Sequence, residues 1–223
     1  MEFRIFIPWT VSCSSLLTSD FSDRAEQRVD SYVVTPDHVG IKVRNLKKLE
    51  MKVRTKIDEL SGIETYVKVK FGKKDISRYT SDILQTLTNM GISDHNELKC
   101  CLNNVKYLEI SKKRVIISDR LCTLEICAVQ VGDKDWLSIA IEGDDMNDIQ
   151  NALKESTHEK AIQIKELLKE TLRFIPSAFN EDTSFIPFVG GYPRFIRLVC
   201  TGSTNEERRR LLESYSDIIT NLL

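Results

Sequence analysis

Apolar and charged residues alternate strictly along the chain between Gly40 and Lys56. The apolar positions are Ile41, Val43, Leu49, Met51 and Val53, and the charged positions between them are Lys42, Arg44, Glu50, Lys52 and Arg54. Alternation at period two is typical of a β-strand with one apolar face. The intervening Asn-Leu-Lys-Lys predicts a turn, so the segment reads as a hairpin. The charged face looks either into bulk water or into an enclosed cavity.

The same pattern predicts strands over most of the first 145 residues. Further alternating segments cover residues 2–8, 28–34, 63–72, 105–118, 122–131 and 135–143. With the hairpin they make about eight strands whose short connections favour antiparallel pairing. A sheet of so many strands tends to curl or to close. We therefore predict an α+β fold built on a closed or nearly closed eight-stranded antiparallel barrel.

Helical periodicity replaces the strand pattern at three places. One predicted helix has apolar residues at Ile76, Tyr79, Ile83, Leu87 and Met90 and ends at Gly91. A second covers about residues 146–172 and a third lies at the carboxyl end, whereas residues 185–199 predict a loop leading into a short strand. We expect about three helices packed outside the barrel, and one domain over residues 1–223 that the segments from about 146 onward complete.

Composition and charge narrow the range of expected partners and cell compartments. Of the 223 residues 41% are hydrophobic and 29% charged, and the net charge of −1 gives no overall reason to expect nucleic acid or acidic lipid as a partner. The six cysteines show no metal-binding spacing and suit reduced thiols. No apolar stretch reaches the length of a membrane span. We expect an intracellular protein, cytoplasmic or nuclear, with no membrane partner.

Charge is concentrated on the polar strand faces. These faces carry ten basic residues against six acidic ones: Arg4, Arg28, Lys42, Arg44, Lys52, Arg54, Lys68, Lys70, Lys112 and Arg114 against Glu2, Asp30, Glu50, Glu64, Glu125 and Glu142. A solvated face is the usual arrangement for antiparallel sheets. However, charged rows on nearly every strand, together with helices that must cover the apolar faces, favour a barrel with a charged interior.

Such an interior has a clear chemical use. Clustered guanidinium and ammonium groups bind polyphosphates, with bidentate arginine contacts fixing their position. Carboxylates on the wall can hold Mg²⁺ or Mn²⁺, and the metal polarises a phosphoryl group and orients water. Phosphoryl transfer requires little beyond positioning and charge neutralisation.

The order of motifs resembles the CYTH-like superfamily of triphosphate tunnel metalloenzymes. The matching segments, in chain order, are RVDSYVV, GIKVR, LEMK, SKKR, LEI and SIAIEG. This superfamily includes thiamine triphosphatase, class IV adenylate cyclase, tripolyphosphatases and RNA 5′-triphosphatases. The resemblance extends over roughly the first 145 residues and implies an eight-stranded antiparallel tunnel.

The chain departs from the family pattern in two strands. Where the family has an ExExK motif, this chain has Glu2, Arg4 and Phe6, and its last strand keeps only Glu142 of an ExE motif. The missing carboxylates are ones that family enzymes use to bind metal. An arginine at such a position would repel a divalent cation but could contact phosphate.

The resemblance and the charge pattern together assign candidate roles. The expected phosphate-binding residues are Arg4, Lys42, Arg44, Lys52, Arg54, Lys68, Lys112 and Arg114. Mg²⁺ or Mn²⁺ would be held by Glu2, Glu50, Glu125 and Glu142, with Glu50 and Glu142 in catalytic roles.

Three functions remain open on this basis. The first is metal-dependent hydrolysis of a nucleoside, thiamine, inorganic or RNA 5′-triphosphate. The second is binding of a polyphosphate, nucleotide or RNA 5′ end without efficient hydrolysis. The third is a scaffold whose charges form structural ion pairs, with a protein partner expected if the barrel is inactive.

Overall fold

A computed structural model of the protein describes residues 1–9, 25–45, 47–58, 63–72, 76–93, 95–118, 122–145, 147 and 188–201. Apart from residue 147, the predicted second and third helices lie outside these residues. The single domain over residues 1–223 therefore stays a prediction. None of the helices in this part of the chain is long and apolar enough to cross a membrane.

The described residues form nine strands in one antiparallel sheet, in the order β5-β4-β3-β2-β6-β7-β8-β1-β9. Their bounds are β1 Glu2–Pro8, β2 Glu26–Val33, β3 Val39–Arg44, β4 Lys48–Ile57, β5 Glu64–Lys70, β6 Tyr107–Ser118, β7 Cys122–Val131, β8 Lys134–Gly143 and β9 Phe188–Val189.

The sheet closes on itself because β1 also pairs with β5, at Glu2 and Glu64. Farther along β1, the two-residue strand β9 takes over, pairing with Ile5 and Phe6. The predicted closed eight-stranded antiparallel barrel is confirmed.

Helices cover the apolar outer face of β3 and β4. A 3₁₀ turn, Ile76–Tyr79, leads into α1, Thr80–Asn89, and α2 spans Asn96–Asn103. Their buried residues join the predicted apolar side of the hairpin in one core: Ile41, Val43, Leu49, Met51, Val53, Ile76, Ile83, Leu87, Leu98 and Leu102. The orientation of the hairpin follows, since burying these side chains outside the barrel sends their neighbours inward.

The first predicted helix is confirmed, including its end at Gly91, whose φ of 79° favours glycine. Helix α2 was not predicted. Only Leu98 and Leu102 of its eight residues are buried, so its apolar periodicity extends over a single turn.

A third helix, α3, Tyr192–Thr201, fills one end of the barrel interior. Phe195 is fully buried and stacks on Phe6 at 3.9 Å between ring centroids, and Trp136 meets it edge-on at 5.2 Å. The loop and strand predicted for residues 185–199 are therefore wrong beyond β9. Pro193 and the preceding glycines indicated a break, but proline is compatible with the first turn of a helix.

Candidate functional site

The charged faces of the strands point into the barrel. Alternation places Glu2 and Arg4 of β1, Asp30 of β2, Glu50 of β4 and Lys112 of β6 inside, and each is at least 96% buried. The predicted charged interior is confirmed. The apolar partners on these strands face outward, as a period of two requires.

A cavity of about 190 Å³ lies between the aromatic end and the opposite mouth. Tyr192 and Pro193 of α3 form part of its wall. Seven of the lining residues are cationic and four are anionic, which leaves an excess of three positive charges: Arg4, Arg28, Lys42, Arg44, Lys52, Lys68 and Arg114 against Glu2, Glu50, Glu125 and Glu142. Enclosed walls and a single dominant sign concentrate the field that an anion would meet.

Arg4 is the hub of the ion-pair network on one wall. Its Nε donates to Glu2 Oε1 at 2.6 Å, and its Nη1 donates to Glu125 Oε1 and to Ser138 Oγ, both at 2.8 Å. Nη2 lies 3.7 Å from Glu142 Oε1. The guanidinium also lies 4.8 Å from the centre of the Tyr192 ring.

These contacts keep the carboxylates of this wall ionised. Burial acts to raise the pKa of Glu2, but the charges of Lys52 and Arg4 outweigh it and hold that pKa at about 2. The pKa of Glu125 is likewise held well below its usual value despite burial, chiefly by Arg4 and Lys112. Each carboxylate therefore carries its charge throughout the neutral range.

A second cluster surrounds Glu50. Its Oε2 lies 3.0 Å from Arg44 Nη2, 3.8 Å from Lys68 Nζ and 3.9 Å from Lys42 Nζ. The three cations outnumber the single carboxylate, and Lys68 is the most exposed of them. Burial depresses the pKa of Lys42 well below its usual value, and neighbouring cations add to the effect. Even without Lys42, Arg44 and Lys68 are two cations beside the single carboxylate of Glu50, so this wall holds positive charge that Glu50 does not offset.

Asp30 is fully buried among three cations. Its Oδ2 lies 3.2 Å from Arg28 Nη2, 3.2 Å from Lys112 Nζ and 3.5 Å from Lys42 Nζ. Lys112 also donates to the hydroxyl of Tyr32 at 2.8 Å. Burial lowers the pKa of Lys112 to about 8 although Asp30 favours its charged form.

Arg28 is a site residue that the sequence assignment left out. Its side chain is 4% exposed and lines the cavity, yet its Nε and Nη1 have no hydrogen-bond partner among the described residues. Buried guanidinium N–H groups are rarely left unpaired. The sequence did place Arg28 on the polar face of its strand together with Asp30. It does not reveal which nitrogens of an arginine find a hydrogen-bond partner in the folded chain.

Six of the eight expected phosphate-binding residues line the cavity, and two do not. The six are Arg4, Lys42, Arg44, Lys52, Lys68 and Arg114. Lys112 lies behind them, with its Nζ 3.5 Å from the centre of the Tyr192 ring. Arg54 donates to Glu64 Oε1 at 2.9 Å and to Asp37 Oδ2 at 3.1 Å. Glu64 also accepts the backbone N–H of Gly191 at 2.7 Å, so Arg54 belongs to the contacts that hold the entry to α3.

The side chains do not fit a divalent cation held by the four expected carboxylates. Glu2, Glu125 and Glu142 converge on Arg4 rather than on an open point. Glu50 is engaged by Arg44 on the other wall. In the described ranges, no group of three or more His, Cys, Asp or Glu side chains is arranged to hold a metal ion. A metal bound here would first have to displace a guanidinium that is covalently part of the chain.

Fold and site together define a closed antiparallel barrel with a cationic cavity that α3 blocks at one end. Among solved structures, the chain is similar to a candidate adenylyl cyclase from Hippeastrum with a dominant triphosphatase activity, at 14% identity and a TM-score of 0.43, covering 92% of this chain and 97% of that one. It is also similar to a candidate adenylate cyclase from Bacillus halodurans, at 14% identity and a TM-score of 0.43, covering 76% and 89%.

A conserved hypothetical protein from Pyrococcus furiosus is similar at 20% identity and a TM-score of 0.39, covering 76% of this chain and 91% of that one. No protein-family model matches the chain, and the search of curated proteins finds no match. Similarity at 14–20% identity and TM-scores below 0.5 supports no inference about activity or ligand. The function proposed below depends on the side chains of the barrel.

Proposed function

We propose that this protein binds the terminal phosphates of a triphosphate-bearing molecule in the barrel cavity. The observation that carries the proposal is the lining itself, in which seven cations face four carboxylates. Arg28 strengthens it, because two of its buried N–H groups lack a partner among the described residues. A polyanion would supply acceptors to these groups and offset the excess charge.

The geometry favours phosphate over a single carboxylate as the ligand. Arginines on two walls, Arg28 and Arg44, have buried nitrogen atoms without a hydrogen-bond partner among the described residues, and a phosphate chain offers oxygens in several directions. The cavity volume of about 190 Å³ is below the range of about 300–1,000 Å³ that accommodates drug-sized ligands. We therefore infer that the phosphates enter while the nucleoside, thiamine or RNA chain stays at the mouth.

Binding is better supported than metal-dependent hydrolysis. Glu50, one of the two expected catalytic carboxylates, is 3% exposed and paired with Arg44. Hydrolysis is the second candidate and is favoured by Glu142, which lines the cavity with a side chain 48% exposed and so is accessible to water. Mg²⁺ or Mn²⁺ as a cofactor belongs to this second candidate only.

A titration of the purified 223-residue chain with inorganic tripolyphosphate tests the proposal. Ligand at a hundred times its dissociation constant should raise the free energy of unfolding by about 2.7 kcal/mol, because it binds only the native state. Sodium sulfate at matched ionic strength is the control for general screening. If the melting temperature responds equally to both salts, the proposed binding site is wrong.

The same samples separate binding from turnover and narrow the ligand class. Phosphate release with Mn²⁺ that disappears in Glu142→Ala would establish the hydrolase instead. RNA with a 5′-triphosphate and the same RNA with a 5′-hydroxyl form a matched pair. Stronger binding of the triphosphate form is expected, since only that end enters the cavity. Equal binding of both forms would show that the RNA chain, and not its 5′ end, is bound.

A further inference from the structure

Arg4 occupies the centre of a carboxylate cluster built from three neighbouring strands. Glu2 comes from β1, Glu125 from β7 and Glu142 from β8, and the Arg4 guanidinium lies 2.6, 2.8 and 3.7 Å from them. Ser138 of β8 accepts a further hydrogen bond from Nη1. The Arg4 side chain is only 3% exposed. Three carboxylates thus share one buried cation.

Two further cations of the chain pair with the carboxylates of this cluster. Lys52 forms a second ion pair with Glu2, and Arg114 Nη1 lies 2.7 Å from Glu125 Oε2, while Arg114 Nη2 also pairs with Glu26. The carboxylates of the cluster therefore have cations of the chain itself as their partners. Without a central cation the carboxylates would repel one another and any phosphate nearby, because like charges in a buried site interact strongly.

We infer that Arg4 is a resident cation that takes the place of a divalent metal, so that the cavity binds its anion without metal. A guanidinium suits this role because it stays charged at all accessible pH values and forms several directed hydrogen bonds at once. Being covalently attached, it also cannot be removed by a chelator. The inference rests on the proposed function for its ligand, but the cation site itself can be tested without ligand.

Mn²⁺ alone is the probe for the first experiment. Electron paramagnetic resonance would measure Mn²⁺ binding to the intact chain in wild type, Arg4→Gln and Arg4→Lys. Arg4→Gln keeps a polar side chain but leaves Glu2, Glu125 and Glu142 without their shared cation. We expect saturable Mn²⁺ binding in Arg4→Gln and none in wild type or in Arg4→Lys, which keeps the charge.

Two outcomes would overturn the inference. Wild type that binds Mn²⁺ as tightly as Arg4→Gln would show that Arg4 does not replace the metal. A folded Arg4→Gln that binds no Mn²⁺ would show that the carboxylates do not form a site that needs a cation. Circular dichroism measures whether each variant folds. If Arg4→Gln does not fold, the inference is tested on wild type and Arg4→Lys, and saturable Mn²⁺ binding by either of them overturns it. Arg197→Gln is the matched control, because Arg197 pairs with Glu97 on the outer surface.

The second experiment adds tripolyphosphate. Wild type should bind it in EDTA without any need for Mn²⁺. Arg4→Gln should lose about tenfold or more in EDTA, because a charge-assisted donor is removed and the carboxylate cluster loses one of its compensating charges. Wild-type binding that disappears in EDTA would overturn the inference. Absence of tripolyphosphate binding under every condition would instead remove the proposed function, while the Mn²⁺ result would still decide the role of Arg4.

Discussion

Replacing Arg28 by methionine should separate ligand binding from stability. Methionine has a similar length and no charge, so the substitution removes the guanidinium with little change in packing. In the free protein, Arg28 holds one ion pair, to Asp30 at 3.2 Å, and two buried nitrogens without a partner among the described residues. Asp30 keeps Lys42 and Lys112 as neighbours after the change.

The expected magnitudes follow from these contacts. A hydrogen bond to a charged group contributes about 1.5–3 kcal/mol, so losing one between Arg28 and a phosphate should weaken binding by about 10- to 100-fold. In the free protein, losing one ion pair lowers the free energy of unfolding. Removing buried N–H groups that lack a partner among the described residues raises it, since each costs about 1–3 kcal/mol. We expect the free energy of unfolding to stay within about 1 kcal/mol of wild type or to rise.

Calorimetric titration with tripolyphosphate measures the affinity, and urea denaturation in the same buffer measures the free energy of unfolding. Arg54→Met is the crossed comparison, because Arg54 pairs with Glu64 and Asp37 and does not line the cavity. It should lower the free energy of unfolding by about 2 kcal/mol while changing affinity by less than about threefold. Unchanged affinity in Arg28→Met, or a loss of affinity that tracks unfolding in both variants, would refute the reasoning.

Three further predictions concern stability. Acid should destabilise the protein, because the pKa of Glu2 is about 2 in the native state against the usual 4.5, so the unfolded chain binds a proton first. Since pH 3 still lies above the native pKa, the free energy of unfolding should fall by about 2 kcal/mol through Glu2 between pH 6 and pH 3. Urea titrations at these two pH values should show a smaller difference in Glu2→Gln. Phe195→Ala should cost about 3–5 kcal/mol by leaving a cavity at the filled end of the barrel, with Val67→Ala, at an exposed position, as the control in the same melts. In Gly191→Ala, the added Cβ would clash with the Tyr66 hydroxyl, so the melting temperature should fall. Tyr66→Ala should restore part of this loss in the double variant, and additive losses would rule out the clash.

The local pattern predicted most of the fold correctly. Alternation located the eight long strands, and helical periodicity located α1 with its glycine end. These features are readable because side-chain direction in a strand or helix depends on local backbone geometry. Helix α2, with only two buried residues, and α3, whose first turn contains Pro193, were missed because short or proline-containing segments give little periodicity.

The candidate site was predictable as a set of residues but not as an arrangement. Alternation correctly grouped Arg4, Lys42 and Glu125 on inward faces. Sequence offered no means of telling that Arg54 holds Glu64 near α3, or that two Arg28 nitrogens at the cavity have no hydrogen-bond partner among the described residues. Both distinctions depend on neighbours that are far away along the chain.

The sequence by itself therefore determined which side chains share a strand face, because that follows from a repeat of two residues along an extended backbone. Tertiary structure alone decided that the charged faces are enclosed, through the pairing of Glu2 with Glu64 that closes the sheet. It also decided that Arg4, and not an open space, lies among the carboxylates. The physical reason is that burial and charge pairing arise where distant segments meet, and a one-dimensional pattern does not contain those distances.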